Sequence, residues 1–345
     1  MIMRKNILIT KDQIKTPVPV PACSVVYDNN VIGRNLDWLY SEMADCIIRT
    51  DNTIGVAGAN PEFTKQFAES QVYDESIYKL LPFFLQDGIN RTGLCVSTLV
   101  CPHLTSKSKP TTVKDSVCSI MLCRYLLDNY ETARQAHDAL MDKVEVYFPR
   151  QLIAMGYNQH WVIADKNNCY LFEVDPFGSP IMMEYTGRKL VVTNFQHNNV
   201  NFNSDGTVYT PATQDTTHDA IITNQIHPQG SGLERYNLLL ATSAYNVSTM
   251  KAALKQVAYS KSYTQPSHRW YTEFVDEELG LTCVSKPADF DPHVMEYEEH
   301  YKDRSRDEDD KYYGYWNTNH SCVYNLNDGS MSVCSQENFN NWHEN

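Results

Sequence analysis

The sequence predicts an α+β fold in which antiparallel hairpins build the sheets and helices cover them. Three hairpin patterns support this prediction, each with two strand-like runs joined by a turn rich in Asn or Asp, at 22–38, 160–174 and 321–335. From Thr112 to Lys143 the apolar residues recur at helical spacing, which predicts a helix pair that packs on a sheet.

The first third of the chain adds shorter elements. Asp45 to Thr50 predicts a strand, and the proline-led segment Pro61 to Glu69 predicts a short helix. Asp87-Gly88 and Thr92-Gly93 are turn pairs, and a strand from Leu94 to Val100 follows them.

The later elements are set by caps and turns. A capping-box-like pair, Thr112 and Asp115, starts the predicted helix pair. A strand runs from Lys189 to Gln196, a helix opens at Gly232, and Ser248 caps a further helix.

Composition and charge exclude several classes of partner. The chain has 345 residues, of which 42% are hydrophobic and 21% charged, as in soluble globular proteins. A net charge of −13 disfavours binding to nucleic acid or to an anionic membrane surface. No run approaches the ~20 apolar residues of a membrane span, and the apolar patch near the N-terminus is too short for a signal peptide. We therefore expect a cytoplasmic protein without nucleic-acid or membrane partners.

The cysteines predict neither a metal site nor disulfides. All ten are scattered and none forms a Cys-x-x-Cys pair, so buried reduced thiols are expected. A zinc site would need closer Cys/His pairing. The acidic stretch at about 286–315 does not have the spacing of a calcium loop and predicts a solvated insertion. We expect no metal and no cofactor.

The first hairpin, ACSVVYDNNVIGRNLDW, brings a thiol back beside a guanidinium and a carboxylate. Cys23 lies in its first strand, and Arg34 and Asp37 lie in its second. A cation beside a thiol lowers the thiol pKa, and a nearby carboxylate holds the cation in place. In a flat strand Arg34 and Asp37 point to opposite faces, so both face Cys23 only if the chain bends near Asp37.

The residues before Cys23 form a short leader, 1–22, with prolines near its end that keep it extended. Cleavage between Ala22 and Cys23 would give Cys23 both a thiol and a free α-amine. Such an amine has a pKa of roughly 7.7–8 and can act as a base. One residue would then supply both the nucleophile and the general base.

The Cys23 hairpin resembles the start of the choloylglycine hydrolase family, the linear-amide hydrolases that include penicillin V acylases and bile salt hydrolases. The resemblance implies an N-terminal nucleophile hydrolase with a four-layer αββα sandwich of two antiparallel sheets between helix layers. It further implies a single hydrolase domain over 23–345, which carries the acidic insertion, and a leader that is removed.

The same resemblance implies roles for individual residues. Cys23 is the nucleophile, Arg34 stabilises its thiolate, and Asp37 fixes the α-amine. Asn194, which ends a strand, stabilises the oxyanion with its side-chain N–H, and Arg235, at a helix start, organises the pocket.

A second signature, DGIN-x-x-GL, resembles the loop that enters a central strand beside the substrate pocket in that family. Thr98, Val100 and Cys101 would be the substrate-binding residues there. The expected substrate is a small N-acyl amide, such as a bile-acid conjugate, a penicillin V-like amide or an N-acyl amino acid. Relatives are commonly tetramers, so a homo-oligomer is expected.

Three alternatives stay open. On the same scaffold, an acyl-CoA-dependent N-acyltransferase would pass the acyl group to an amine instead of to water. An unprocessed, inactive homologue would act as a binding module. An ordinary Cys/His thiol hydrolase would use His160 as its base, although a histidine at a strand start is expected to be structural.

Overall fold

The computed structural model describes residues 22–39, 44–59, 82–101, 115–148, 158–175, 177–199, 202, 204–207, 232–242, 246–258, 274–276, 281–285, 316–335 and 339–344. Within these ranges no helix is long and apolar enough to cross a membrane. The leader before Ala22, the predicted helix at 61–69 and the acidic insertion at 286–315 lie outside the described residues.

Strands are the commonest secondary structure in the described chain. They are β1 (Ala22–Asp28), β2 (Val31–Leu39), β3 (Ala44–Arg49), β4 (Thr53–Ala59), β5 (Asp87–Asn90), β6 (Cys95–Cys101), β7 (Asp115–Cys118), β8 (Val144–Tyr147), β9 (Asn158–Ala164), β10 (Cys169–Val174), β11 (Pro180–Glu184), β12 (Leu190–Val192), β13 (Phe274–Asp276), β14 (Leu281–Ser285), β15 (Trp316–Asn325), β16 (Ser330–Ser335) and β17 (His343–Glu344).

Four α-helices accompany the strands in the described ranges: α1 (Leu122–Asn129), α2 (Ala133–Asp142), α3 (Leu233–Ala241) and α4 (Val247–Gln256). Two short 3-10 helices lie at Ser119–Met121 and His197–Asn199. Helix α2 begins with a full capping box, in which Thr132 and Gln135 satisfy each other's backbone N–H groups.

The strands form two large antiparallel sheets. The first has the order β12-β1-β2-β15-β16-β17, and the second has the order β11-β10-β9-β6-β5-β4-β3-β14-β13. Strands β7 and β8 form a separate two-stranded parallel sheet. Such sheets need an apolar layer on each buried face.

Three apolar clusters show how the layers stack. Side chains from both sheets, such as Val25 of β1 and Val162 of β9, share the central cluster. A second cluster joins the outer face of the nine-stranded sheet to α1 and α2, and a third joins the outer face of the six-stranded sheet to α3 and α4. The arrangement is therefore the αββα sandwich that the resemblance implied.

The hairpin predictions are confirmed at their turns. Asn29 and Asn30 have φ values of 49° and 61°, the left-handed conformation that a tight two-residue hairpin turn requires. In the hairpin of β9 and β10, Asp165 Oδ1 accepts hydrogen bonds from the backbone N–H groups of Asn167 and Asn168. Asn and Asp occupy these turns because their side chains bond the nearby backbone.

Three local predictions were wrong. Asp87 and Gly88 lie inside strand β5 and not in a turn, because their backbone pairs with β4 and β6. The segment Asp115–Cys118 is a strand that pairs with β8, so the helix pair does not begin at Thr112. Helix α4 is capped by Asn246, whose side chain accepts from Thr249, and not by Ser248. In each case a tertiary or neighbouring partner outweighs the local signal.

The close approach of β4 to β5 gives a testable prediction about Gly55. A Cβ atom at Gly55 would lie 2.4 Å from the backbone oxygen of Asp87, whereas one at Gly33 would lie 2.5 Å from side-chain atoms of Met250. Backbone cannot yield as a methionine side chain can. We expect Gly55→Ala to lower the free energy of unfolding by about 1–3 kcal/mol and Gly33→Ala to lower it less.

Urea unfolding monitored by circular dichroism measures both variants. Equal losses of stability in Gly55→Ala and Gly33→Ala would contradict the close packing of β4 on β5.

Candidate active site

Cys23 is the second residue of β1 and is fully buried. Its cross-strand partner is Leu36, and the next pair on the same face is Val25 with Arg34. Because directly paired residues share a face, Cys23 and Arg34 both point between the two sheets. The hairpin therefore brings the thiol and the guanidinium to one face.

The backbone nitrogen of Cys23 is held by Asn194. It donates to Asn194 Oδ1 at 2.6 Å, and Arg235 Nη2 donates to the same oxygen at 3.0 Å. Two donors face this oxygen, so the amide orientation is set by its neighbours, and Asn194 Nδ2 donates to the carbonyl of Val100 at 2.7 Å. One Nδ2 hydrogen is used by Val100.

Arg235 links Asn194 to Asp37. Its Nη1 lies 2.6 Å from Asp37 Oδ2, and Thr318 donates to Asp37 Oδ1 at 2.6 Å. The Asp37 carboxylate is fully buried, whereas Arg235 is about one-seventh exposed, with a side-chain exposure of 14%. Asp37 therefore acts on the centre through Arg235 and Asn194.

Arg34 and Asp37 lie on opposite faces of β2. Strand β2 pairs with β1 without a shift in register, so its side chains alternate regularly. Asn35, on the Asp37 face, donates to the backbone of α4, and Arg34 points between the sheets. The two charges therefore reach Cys23 from two sides, without a bend in β2.

Three groups hold the buried guanidinium of Arg34. Its Nη1 is 2.7 Å from His320 Nε2, its Nη2 donates to the carbonyl of Thr98 at 3.0 Å, and its Nε is 3.2 Å from Asp87 Oδ2. Burial opposes ionisation of Asp87, but Arg34 and the neighbouring hydrogen bonds outweigh it and lower the pKa of this carboxyl to about 2.

The surroundings of the Cys23 thiol shift its pKa in both directions, and burial has the largest effect. Burial raises its pKa above the ordinary value; Arg34 and Arg235 lower it, and Asp37 raises it. In this chain the Cys23 nitrogen is a peptide N–H. The amine that would act as a base arises only if the bond to Ala22 is cut.

The predicted substrate-binding residues lie on β6. The backbone carbonyl of Thr98 accepts a hydrogen bond from Arg34, and that of Val100 accepts one from Asn194. Cys101 is fully buried beyond them, and burial raises the pKa of its thiol well above its ordinary value. These residues therefore lie beside Arg34 and Asn194, and their geometry does not identify a ligand.

His160 belongs to a separate buried pair. Its Nδ1 lies 3.2 Å from Glu173 Oε1, and Glu173 also accepts from the backbone N–H groups of His197 and Asn198. Glu173 therefore attaches the residues after Asn194 to strand β10 through these hydrogen bonds. This contact gives His160 a structural role.

Among the residues that the structure describes, one group of side chains has metal-ligand chemistry, namely Asp87, His320 and Cys322, whose ligand atoms lie within 4.8 Å of one another. The Arg34 guanidinium already occupies this space, at 2.7 Å from His320 and 3.2 Å from Asp87. A bound cation would have to lie beside that fixed positive charge. The group therefore suits a guanidinium and not a metal ion.

Sequence reasoning missed the partners of the two arginines. The Asp87-Gly88 pair predicts a turn, and the hairpin pattern at 321–335 includes Tyr324 without giving it a role and does not reach Thr318 or His320. Tyr324 donates to Asp87 Oδ1 across the sheets. The available signal was the alternation of His320, Cys322 and Tyr324, which puts three polar side chains on one buried face.

The chain matches the family described as "Acyl-coenzyme A:6-aminopenicillanic acid acyl-transferase" over residues 26–266. Its fold is similar to that of a cysteine-to-alanine mutant of conjugated bile acid hydrolase from Clostridium perfringens. That similarity has a TM-score of 0.51 at 14% identity and covers 94% of this chain and 92% of the other.

Two further solved structures match less closely. Penicillin V acylase from Agrobacterium tumefaciens has a TM-score of 0.46 at 12% identity, covering 91% of this chain and 82% of the other. An arginine-to-leucine variant of the Clostridium perfringens hydrolase has a TM-score of 0.48 at 13% identity, covering 94% and 92%. No curated protein matches the chain by sequence.

The buried Arg34–Asp87 pair predicts a specific acid dependence of stability. The pKa of Asp87 is about 2 in the fold, against an ordinary value of 3.8, so its contribution is present above 3.8 and is lost as the pH falls towards 2. Asp87→Asn leaves Arg34 without its counter-charge and is expected to cost about 3–5 kcal/mol at neutral pH.

Chemical denaturation of wild type and Asp87→Asn at several pH values measures this contribution. The stability difference between them should shrink as the pH falls from about 4 towards 2. A difference that stays constant over that interval would contradict the lowered pKa.

Proposed function

The chain belongs to the family described as acyl-coenzyme A:6-aminopenicillanic acid acyl-transferase, and we propose that it is an acyl-transfer enzyme whose nucleophile is an N-terminal cysteine, Cys23. The observation that carries this proposal is the hydrogen bond that the Cys23 nitrogen donates to Asn194 Oδ1. This bond holds the nitrogen that would become the general base beside Asn194, which is in turn bonded to Arg235.

The first step is removal of the leader. The Cys23 sulfur attacks the carbonyl carbon of Ala22, the C–N bond breaks, and the thiol proton ends on the Cys23 nitrogen. Water then hydrolyses the resulting thioester, which releases the leader with a carboxylate and restores the thiol. The products are a free thiol and a free α-amine on Cys23.

In turnover the α-amine, with an ordinary pKa of roughly 7.7–8, takes the thiol proton. The thiolate attacks the carbonyl of a linear amide, and the departing amine receives the proton back from the ammonium group. Water, deprotonated by the same amine, then attacks the thioester. The product acid leaves, and the thiol and amine of Cys23 are regenerated.

The neighbouring residues divide the electrostatic work. Arg34 stabilises the thiolate from the inter-sheet side. Asn194 holds the α-amine with its oxygen and offers its second Nδ2 hydrogen to the oxyanion, where one donor is often worth about 3 kcal/mol. Arg235, anchored by Asp37, keeps the Asn194 amide in this orientation.

The acceptor of the acyl group has a second candidate. The family description names an acyl-coenzyme A acyltransferase, which favours an amine acceptor in place of water. The same thioester at Cys23 serves both outcomes, because only the attacking nucleophile differs. Hydrolysis is the primary proposal, and N-acyl transfer is the alternative.

Further expectations belong to this proposal. The substrate would be a small N-acyl amide, and Thr98, Val100 and Cys101 would border its acyl group. A homo-tetramer and a cytoplasmic location are likewise proposed. The location is supported by the cysteines, since all nine with described side chains are free thiols, as a reducing compartment would leave them.

Trapping the acyl-enzyme tests the proposal. The purified protein is incubated with a panel of N-acyl amides and acyl-CoA thioesters, and its peptides are weighed by mass spectrometry. We expect the acyl mass on the peptide that contains Cys23, removable by hydroxylamine as a thioester. The partition between free acid and a new amide, with an added amine, then separates hydrolase from acyltransferase.

Matched variants complete the experiment. Cys23→Ala should lose the adduct, whereas Cys118→Ala should keep it; Cys118 is the one described cysteine that is not buried, and therefore the best competing thiol. His160→Gln should also keep it. Acylation that survives in Cys23→Ala, or depends on His160, would exclude the proposed nucleophile and base.

A further inference from the structure

A single β-bulge lies opposite the charged residues of β2. Strand β15 pairs with β2, and the register shifts between Thr318 and His320. Thr318 is paired with Asp37 and His320 with Leu36, so Asn319 is an extra residue with no partner in the register. Bulges of this kind re-aim side chains and are frequent next to active sites.

The bulge sends two side chains to opposite faces. In a regular strand Thr318 and His320 would face the same side, because side chains alternate with a period of two. With Asn319 inserted, Thr318 faces the side of Asp37 and α3, and His320 faces the space between the sheets.

Each of the two side chains contacts one charged residue of the proposed centre. The Thr318 hydroxyl donates to Asp37 Oδ1 at 2.6 Å. His320 Nε2 lies 2.7 Å from Arg34 Nη1. Both side chains are fully buried, so neither contact competes with bulk water.

The chemistry of the second contact sets the state of His320. Arg34 Nη1 is a donor, so this contact is a hydrogen bond when His320 Nε2 accepts, as it does in the tautomer that carries its proton on Nδ1. Asp87 Oδ2 lies 3.3 Å from the same nitrogen and is also an acceptor. Arg34 contacts both groups, with its Nη1 2.7 Å from His320 Nε2 and its Nε 3.2 Å from Asp87 Oδ2. His320 and Arg34 therefore orient each other.

We propose that the Thr318–His320 bulge is a positioning element, in which Thr318 holds Asp37 and His320 holds Arg34 in the geometry that makes Cys23 reactive. This inference rests on the proposed function of Cys23 as the nucleophile. Thr318 and His320 touch no reacting atom and act through the residues that they hold.

Several charged and titratable groups share this environment, and a pH profile reports on them together. They come from β2, β5, α3 and β15: Arg34, Asp37, Asp87, Arg235, His320, Cys322 and Tyr324.

The test is the rate at which iodoacetamide alkylates Cys23 as a function of pH, corrected for the folded fraction. Arg34 lowers the pKa of this thiol, so His320→Leu should move the midpoint of the profile to higher pH. The rate at pH 7 should fall by about tenfold, the scale of one buried hydrogen bond to a charge. His320→Gln, which retains an acceptor, should stay within about twofold of wild type.

Variants of Thr318 provide an independent test, which can be made even if His320→Leu does not fold. Thr318→Val has the same shape without the hydroxyl and should slow acylation of Cys23 by about tenfold, mainly through kcat. Thr318→Ser should restore the rate. Leu140→Ala, a core truncation in α2, serves as the control for lost stability alone and should leave the alkylation profile unchanged.

Unchanged profiles and rates in both His320→Leu and Thr318→Val would overturn the inference, as would the same shift in Leu140→Ala. If Cys23 is neither acylated nor alkylated in the wild type, the proposed function itself fails. The two failures are therefore distinguishable in one set of proteins.

Discussion

The candidate site depends on charges that are buried and therefore have to be paired. Arg34 with Asp87, and Arg235 with Asp37, form two ion pairs, and three of the four side chains are essentially inaccessible. Breaking such a pair leaves a buried charge uncompensated, which costs far more than a surface ion pair contributes. The fold therefore keeps both pairs or loses stability, and the environment of Cys23 follows from them.

The two ion pairs lie on opposite faces of strand β2. Strand β2 alternates regularly, so Arg34 reaches Cys23 from between the sheets and Asp37 reaches it from the helix side through Arg235 and Asn194. The irregularity lies in the neighbouring strand, β15. Charged side chains therefore lie on both sides of the Cys23 strand. Those on the outer side depend on helix α3, which covers the outer face of the same sheet and carries Arg235.

Local chemistry decides how much of this could be predicted. The hairpin of β1 and β2 was predictable because Asn29 and Asn30 supply its turn conformation without help from the rest of the chain. Asp87 was not, since an Asp-Gly pair signals a turn and only its neighbours β4 and β6 make it a strand. The partners of Arg34 come from β5, β6 and β15, and the bulge at Asn319 exists only relative to β2. No window of sequence contains these relationships, although the resemblance pointed to the sandwich.

The proposed mechanism requires Cys23 to become the first residue of the active protein. Intact mass and N-terminal sequencing of the purified wild type, beside a Cys23→Ala variant, test it most directly. We expect the wild type to begin at Cys23 and the variant to retain Met1 to Ala22, because the variant lacks the thiol that performs the cleavage. A wild type that keeps its leader and is nevertheless active on acyl amides would rule out an N-terminal cysteine nucleophile.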